Sequence, residues 1–528
     1  MVVQSRFHAI PVAGWHLPHR VTVLSPDGAG YCRGISSNPD SALHRPRHGE
    51  TQGGLRSIAK NTTYLTLAKG VTLVARVLYA ALVARVLGDE LYGVFNYGMS
   101  FGLAVLPLAT LGMNTLLGRD FVRAGSRGGE LLGQLLLLRL AASVVIAGAS
   151  AALALALEGT GEVALLLCIF CSAIAFRSIA TWSKEVFTAA EATHHDLRQD
   201  LVFRLVDVIA GCALLFGGAG LLALATLHAA LWLVQAVFGV LTVHWRVQRI
   251  RPVMTLRPLA ALVREGMPLA LLGLAETWLV HGVVVLGRWL QLPAAALSQV
   301  ALVLQVTTLA TLPLLLASEA ALPVLSRALT SNGDASRTYL GASLRLTGIV
   351  GGLVVLGATT LGPWLTPFLF GRAFAPAGAL LATGILLLLP MCANGFLFRL
   401  LVARAEGGMA AACLVGGALL MTALLPTLIA ADGARGALTA ALLGGASSTL
   451  ALLVWCHRAV PIQLGRLVAG PCIALALALA VAHGLKQCPG WLGLIAATVT
   501  LATVLRILRV VTGDGWAALQ AAWRSKSR

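Results

Sequence analysis

The sequence predicts an all-α polytopic membrane protein of about 14 transmembrane helices. Three observations carry this reading. Of its 528 residues, 58% are hydrophobic and only 11% charged, where soluble domains carry about a quarter charged residues. From Asn61 to about Val511, apolar segments of about 20 residues follow one another across very short polar breaks. The 56 glycines lie in an Ala/Leu-rich background, which suits helices packed closely in lipid. A soluble globular enzyme is excluded.

Residues 1–59 stand apart, with scattered Pro18, His19, Arg20, Pro46, Arg47 and His48 and no apolar run long enough for a signal-peptide core. They read as a disordered tail, and an over-extended reading frame that truly starts near Arg56 to Asn61 would account for them. The spans then fall at about 62–87, 93–117, 131–157, 163–183, 200–219, 221–243, 266–290, 294–323, 344–367, 377–402, 409–430, 436–456, 467–485 and 491–511. Arg119, Arg123 and Arg127 follow the second span, and Arg246, Arg249, Arg251 and Arg257 the sixth. Arg327 and Arg337 follow the eighth, whereas the alternate breaks hold at most one basic residue each. The positive-inside rule then places both termini in the cytoplasm of an inner-membrane, multi-pass protein. Trp516, Leu519 and Trp523, followed by Arg524, Lys526 and Arg528, fit an interfacial tail over 512–528 on the same face. A basic connector at 244–264, with Pro252 and Pro258, separates a six-helix lobe (60–243) from a second (265–458). An additional helix pair occupies 459–511, and six plus six suggests parallel repeats around a central path.

Ionisable residues inside spans are the functional candidates, because a charge at the bilayer centre costs about 2.5–3.5 kcal/mol on insertion scales. Arg76 lies about 20 Å into the first span and Glu276 about 15 Å into the seventh, too deep to reach an interface easily. Lys69, seven residues before Arg76, continues its helical face toward the cytoplasm, so the pair makes a basic stripe facing an aqueous cavity or a buried ion pair. Arg139, Arg177, Arg204 and Arg399 are shallower: turned inward they form a cationic vestibule whose guanidinium forks suit phosphate oxygens, turned outward they reach headgroups. Asp207, three residues after Arg204, reads first as its neutralising partner. Arg85 and Arg288 lie near outer ends, where they can snorkel. Glu276, Asp207 and Glu319 are the candidates for ion coupling.

Other signals point to packing. Nine cysteines, most of them inside apolar runs, read as small packing residues, the Cys168-Ile-Phe-Cys171 spacing included. His194-His195-Asp196 resembles a metal cluster, yet neighbours on a helix point apart and the segment reads as a solvated cytoplasmic turn. Asn61-Thr62-Thr63 matches a glycosylation pattern by chance at a cytoplasmic position. No phosphate-cradling Gly-rich loop with Lys-Ser/Thr is present, so the chain does not power itself with ATP, and neither a cofactor nor a nucleic-acid partner is expected.

The run Ala75-Arg76-Val77-Leu78 through Ala84-Arg85-Val86-Leu87-Gly88-Asp89-Glu90-Leu91-Tyr92-Gly93-Val94-Phe95 resembles the opening of the polysaccharide-biosynthesis (oligosaccharide flippase) family of the multidrug/oligosaccharidyl-lipid/polysaccharide exporter superfamily. Leu111-Gly112 with Arg119, then Leu322-Pro323-Val324-Leu325-Ser326-Arg327 and Phe370-Gly371-Arg372-Ala373-Phe374, follow in the family's order. The resemblance covers about residues 56 to 511. It implies two lobes in a V and a flippase that moves polyprenyl-diphosphate-linked oligosaccharide to the outer leaflet by alternating access. It also implies phosphate binding by Arg76 and, by extension, Arg85. A departure lies in the seventh span: His281 and Gly282 precede Val283-Val284-Val285-Leu286-Gly287 where many relatives carry an acidic residue. Expected partners are the lipid-linked oligosaccharide, membrane lipids, and a polysaccharide polymerase or glycosyltransferases. The alternatives are a multidrug or metabolite antiporter of the same superfamily and a membrane-embedded glycosyltransferase or ligase. The last usually needs a long extracytoplasmic loop or an acidic metal site, and neither is found in the sequence.

Overall fold

The computed structural model describes the backbone of residues 48–124, 127–251, 256–331, 340–341, 343–404, 406–459, 465–485 and 490–507. The expected interfacial tail at 512–528 and residues 1–47 of the N-terminal tail lie outside these. Every described element is helical, with no strand among the described residues. In chain order the helices are α1 (His48–Thr110), α2 (Met113–Ala124), α3 (Gly128–Glu158), α4 (Glu162–Ala189) and α5 (Thr193–Phe216). There follow α6 (Leu221–Thr242), α7 (Leu256–Thr277), α8 (Val283–Trp289), α9 (Ala294–Ser331) and α10 (Gly352–Phe370). The last are α11 (Ala375–Gly384), α12 (Leu388–Ala403), α13 (Gly407–Ala459), α14 (Gly470–Gly484) and α15 (Gly490–Ile507). A π-helical turn at Trp278–Gly282 joins α7 to α8. Helix α1 already begins at His48, inside the stretch expected to be disordered.

Two of these helices are hairpins. At Gly88 (φ 74°) the chain leaves helical geometry in a region that only glycine adopts without strain. Tyr79 and Phe95, about 24 Å apart along a straight helix, both pack against the His228 ring, so α1 turns back on itself. The second reversal is at Asp432–Gly433 in α13. There a Cβ on Gly444 would stand 2.6 Å from Cβ of Met421, which lies about 35 Å away along a straight helix. The glycines let the two arms of α13 touch backbone to backbone.

Ten helical stretches among the described residues are long and apolar enough to cross a membrane, and opening the two hairpins makes twelve. Two further helices stand at expected spans: α5, which carries Arg198, Asp200, Arg204 and Asp207, and α15, whose apolar stretch is Leu492–Ile507. The second span ends earlier than expected. A turn through Leu111 (φ 52°) and Gly112 closes it, and the amphipathic helix α2 follows, with Met113 and Leu117 buried. Large apolar side chains cover the outside: Val145, Ile209, Leu419 and Leu450 are each more than 60% exposed. Such a surface is stable only in lipid.

Packing runs in sequence-local groups. Helix α4 packs against α3, α5 and α6, while α13 packs against α7, α8 and α12. The groups meet along the second arm of α1. The Thr277 hydroxyl donates to the Ala104 carbonyl (3.3 Å), and a Cβ on Gly273 would stand 3.2 Å from Cβ of Pro107. At the end that holds Gly88, Glu158 and Trp289 the groups are joined by polar contacts. The Trp289 indole donates to the Tyr97 hydroxyl (3.1 Å), and Arg288 faces Glu158 at 3.5 Å.

Candidate functional site

Polar side chains inside α1, α4, α5 and α6 converge because helical spacing stacks them on facing stripes. Arg76 and Tyr79 share a face of α1; Arg177 and Lys184, seven apart, share one of α4; Asp200, Arg204 and Asp207 share one of α5. On α6, His228 and Trp232 are one turn apart.

The Arg204 Nη1 donates to Asp207 Oδ2 at 2.8 Å, the pairing expected from their spacing. Lys184 Nζ reaches Asp200 Oδ1 at 2.7 Å and Asp196 Oδ1 at 3.5 Å. His228 Nε2 stands 3.6 Å from Asp207 Oδ1. Arg177 lies 5.3 Å above the Trp232 ring, a cation–π contact. Arg76 is surrounded by the fields of Arg204, Asp200 and Asp207, and its buried Nε has no hydrogen-bond partner. Among the described residues four cations (Arg76, Arg177, Lys184, Arg204) thus face three carboxylates (Asp196, Asp200, Asp207), one positive charge in excess. Among the described residues neither Arg76 nor Arg177 is paired with a carboxylate. Guanidinium groups without a carboxylate, inside an apolar helix bundle, are suited to hold a multivalent oxyanion.

Several expected site residues are placed elsewhere. Arg139 is fully buried: its Nη1 donates to Glu185 Oε2 at 2.8 Å and its Nε to Ser178 Oγ at 3.1 Å. The Ser178 hydroxyl in turn donates to the Ala109 carbonyl (3.2 Å), as does Ser143 (3.3 Å). This knot ties α3 and α4 to the end of α1, and Arg139 does not face an open vestibule. Arg85 is exposed, and its guanidinium donates from Nε to the Leu369 carbonyl at 2.7 Å and from Nη2 to the Phe368 carbonyl. The C-terminal end of α10 therefore occupies the position expected for a phosphate, because last-turn carbonyls lack helical donors and carry the negative end of the dipole. Arg399 donates to the Gly395 carbonyl at 3.1 Å, and its field reaches Glu276, which is exposed on α7. The side chains of Lys69 and Glu319 lie outside the described residues.

His281 hydrogen-bonds Ser100 Oγ at 3.3 Å from within the π-helical turn, whose Trp278 indole donates to Thr422 Oγ1 at 3.0 Å. His194 and His195 are in the first turn of α5 and not in a loop, and their rings touch at 4.1 Å between centroids, whereas they were expected to point apart. No group of three or more metal-ligating side chains exists among the described residues. Cys168 and Cys171 are both unbonded thiols. Lys184, Asp200, His228 and Tyr79 were not anticipated; the signal available for the first two was the i, i+7 spacing to Arg177 and Asp207.

Residues 58–329, just over half of the chain, match the family model described as polysaccharide biosynthesis protein. No curated protein sequence matches the chain. Among solved structures, the lipid II flippase MurJ in its inward closed conformation aligns over 84% of this chain and 99% of its own, with a TM-score of 0.67 at 12% identity. An inward-facing multidrug resistance MATE family transporter of the MOP superfamily aligns over 74% and 94%, with a TM-score of 0.62 at 13% identity. The Vibrio cholerae MATE transporter VcmN in its bent form aligns over 78% and 98%, with a TM-score of 0.52 at 13% identity. At these identities the likeness is one of fold.

Proposed function

The chain belongs to the polysaccharide biosynthesis protein family, and from that premise we propose that it is a flippase carrying polyprenyl-diphosphate-linked oligosaccharide across a cytoplasmic membrane by alternating access. The observation that carries the reading is the pair Arg76 and Arg177, unmatched by carboxylates within a cluster of net positive charge. A diphosphate headgroup needs cationic side chains along its path, and its polyprenyl tail can stay in the bilayer while the sugars cross.

In this reading residues 60–243 and 265–458 are the two lobes, 244–264 the cytoplasmic connector and 459–511 an added pair. The end holding Arg119, Arg246 and Arg249 faces the cytoplasm. The end sealed by Arg85 and Arg288 faces outward. Transport needs no bond to be made or broken, and a polymerase or glycosyltransferases would supply and consume the lipid-linked glycan. A multidrug antiporter of the same fold would carry cations, which the excess positive charge repels.

Arg76→Ala should abolish surface polysaccharide in cells whose membranes hold the variant at the parental amount, and Arg76→Lys should retain part of it. Normal polymer from Arg76→Ala would remove the site assignment. A deletion strain that changes only in drug susceptibility would favour the antiporter.

A further inference from the structure

Next to the two arginines lies a group that flipping an anion does not by itself require. His228, on α6, is 8% exposed, and Asp207, on α5, is 7% exposed. His228 Nδ1 lies 3.0 Å from the Leu224 carbonyl. A carbonyl only accepts, so Nδ1 must carry the hydrogen of that bond. In the neutral ring Nε2 is then a bare lone pair. It faces Asp207 Oδ1 at 3.6 Å, and that oxygen is buried without a hydrogen-bond partner. Two buried acceptors set against each other lack one hydrogen, and a proton added between them satisfies both once the 3.6 Å gap closes by about half an ångström to hydrogen-bond length.

The surroundings suit a cationic ring. Tyr79 lies face to face with His228 (6.1 Å between centroids, 22° between planes), and Phe95 approaches it at 5.7 Å. Around the pair stand Arg76 and Tyr79 from α1, Arg177 and Lys184 from α4, Asp200, Arg204 and Cys212 from α5, and Trp232 from α6. Asp207 uses its other oxygen for Arg204. A proton on His228 therefore gives Asp207 a second cationic partner and raises the excess charge of the cluster from one to two.

We propose that Asp207 and His228 form a proton-binding site linked to anion binding at Arg76, Arg177 and Arg204, so that a diphosphate-bearing lipid takes up a proton when it binds. This rests on reading the cluster as a diphosphate site and adds the sign of the coupling. Proton and anion assist each other because each supplies the charge that the other needs. Linkage makes the assistance reciprocal: anion binding draws the proton from water onto Nε2, and its release frees the proton again. A proton that competed with a cationic cargo would have the opposite sign.

The test is calorimetric titration of the purified full chain with farnesyl diphosphate, in pairs of buffers that differ in ionisation enthalpy, between pH 6 and 8. The ligand's own titration is common to all proteins and cancels in the comparison. The parental chain should take up more protons per ligand than His228→Gln or Asp207→Asn. Its affinity should also rise more steeply on acidification, toward the limit of about tenfold per pH unit for one linked proton. Equal proton uptake in the parental chain and a folded His228→Gln variant would overturn the inference while leaving the diphosphate site standing. So would uptake by the parental chain no greater than the free ligand's own exchange, a result that needs no variant. Absence of farnesyl diphosphate binding to the parental chain would bring down the diphosphate reading itself, and the linkage with it.

Discussion

Removing Glu185 while keeping Arg139 should destabilise the fold more than removing both. The Arg139 side chain has no exposed surface, Glu185 is 15% exposed, and their atoms are 2.8 Å apart. With Glu185→Leu the guanidinium loses the carboxylate 2.8 Å away and keeps the Ser178 hydroxyl. Breaking a buried pair by removing one partner costs about 3–5 kcal/mol. In Arg139→Met/Glu185→Leu both members of the pair go together, and apolar replacement of a buried pair is about neutral or better. The coupling between the two sites should therefore be at least about 2 kcal/mol. Equilibrium unfolding of the four proteins in mixed micelles, followed by circular dichroism, measures the cycle. A loss below about 1 kcal/mol for Glu185→Leu would show that Arg139 finds solvent or another anion. So would a double variant no more stable than the single one. Either result would return Arg139 to the vestibule expected from the sequence. Transport by the double variant should be retained, since this pair acts in packing.

Two other outcomes are expected. Arg85→Gln should loosen the end that Arg85 closes against Phe368 and Leu369. In a background without native cysteines, a cysteine at position 305, beside Tyr92, should react several-fold faster with a membrane-impermeant thiol reagent applied from outside, and an unchanged rate would contradict a closing role. His195 sits below its ordinary value of 6.5, through burial first and then His194, Arg198 and Arg246. The folded chain thus binds fewer protons than the unfolded one just below that value, and stability present above pH 6.5 falls as the pH drops. Melting temperatures from pH 7.5 to 5.5 should decline less in His195→Gln than in the parental chain.

The helical class was legible because lipid imposes length and apolarity on every span, and these are properties of a one-dimensional string. The Arg204–Asp207 pair was legible for a similar reason: three residues on a helix fix a distance. Arg139 was misplaced because its partner is 46 positions away, and depth alone does not say whether an arginine meets water or a carboxylate. His228 carries no local mark. It lies in an apolar run of α6, and its meaning comes from Tyr79, Phe95 and Asp207, contributed by two other helices. The end of the second span was misjudged because the residues of α2 that bury themselves, Met113 and Leu117, continue the apolar run past the turn.

The Arg85 contact has an asymmetric consequence. Its acceptors are peptide oxygens, which every residue type supplies, so exchanging the side chains at positions 368 and 369 leaves the hydrogen bonds in place. Only the guanidinium end can be inherited or lost by mutation. Pairs of positions that change together across relatives would therefore not report this junction, and a saturation scan would register it as an isolated intolerant arginine opposite two permissive neighbours.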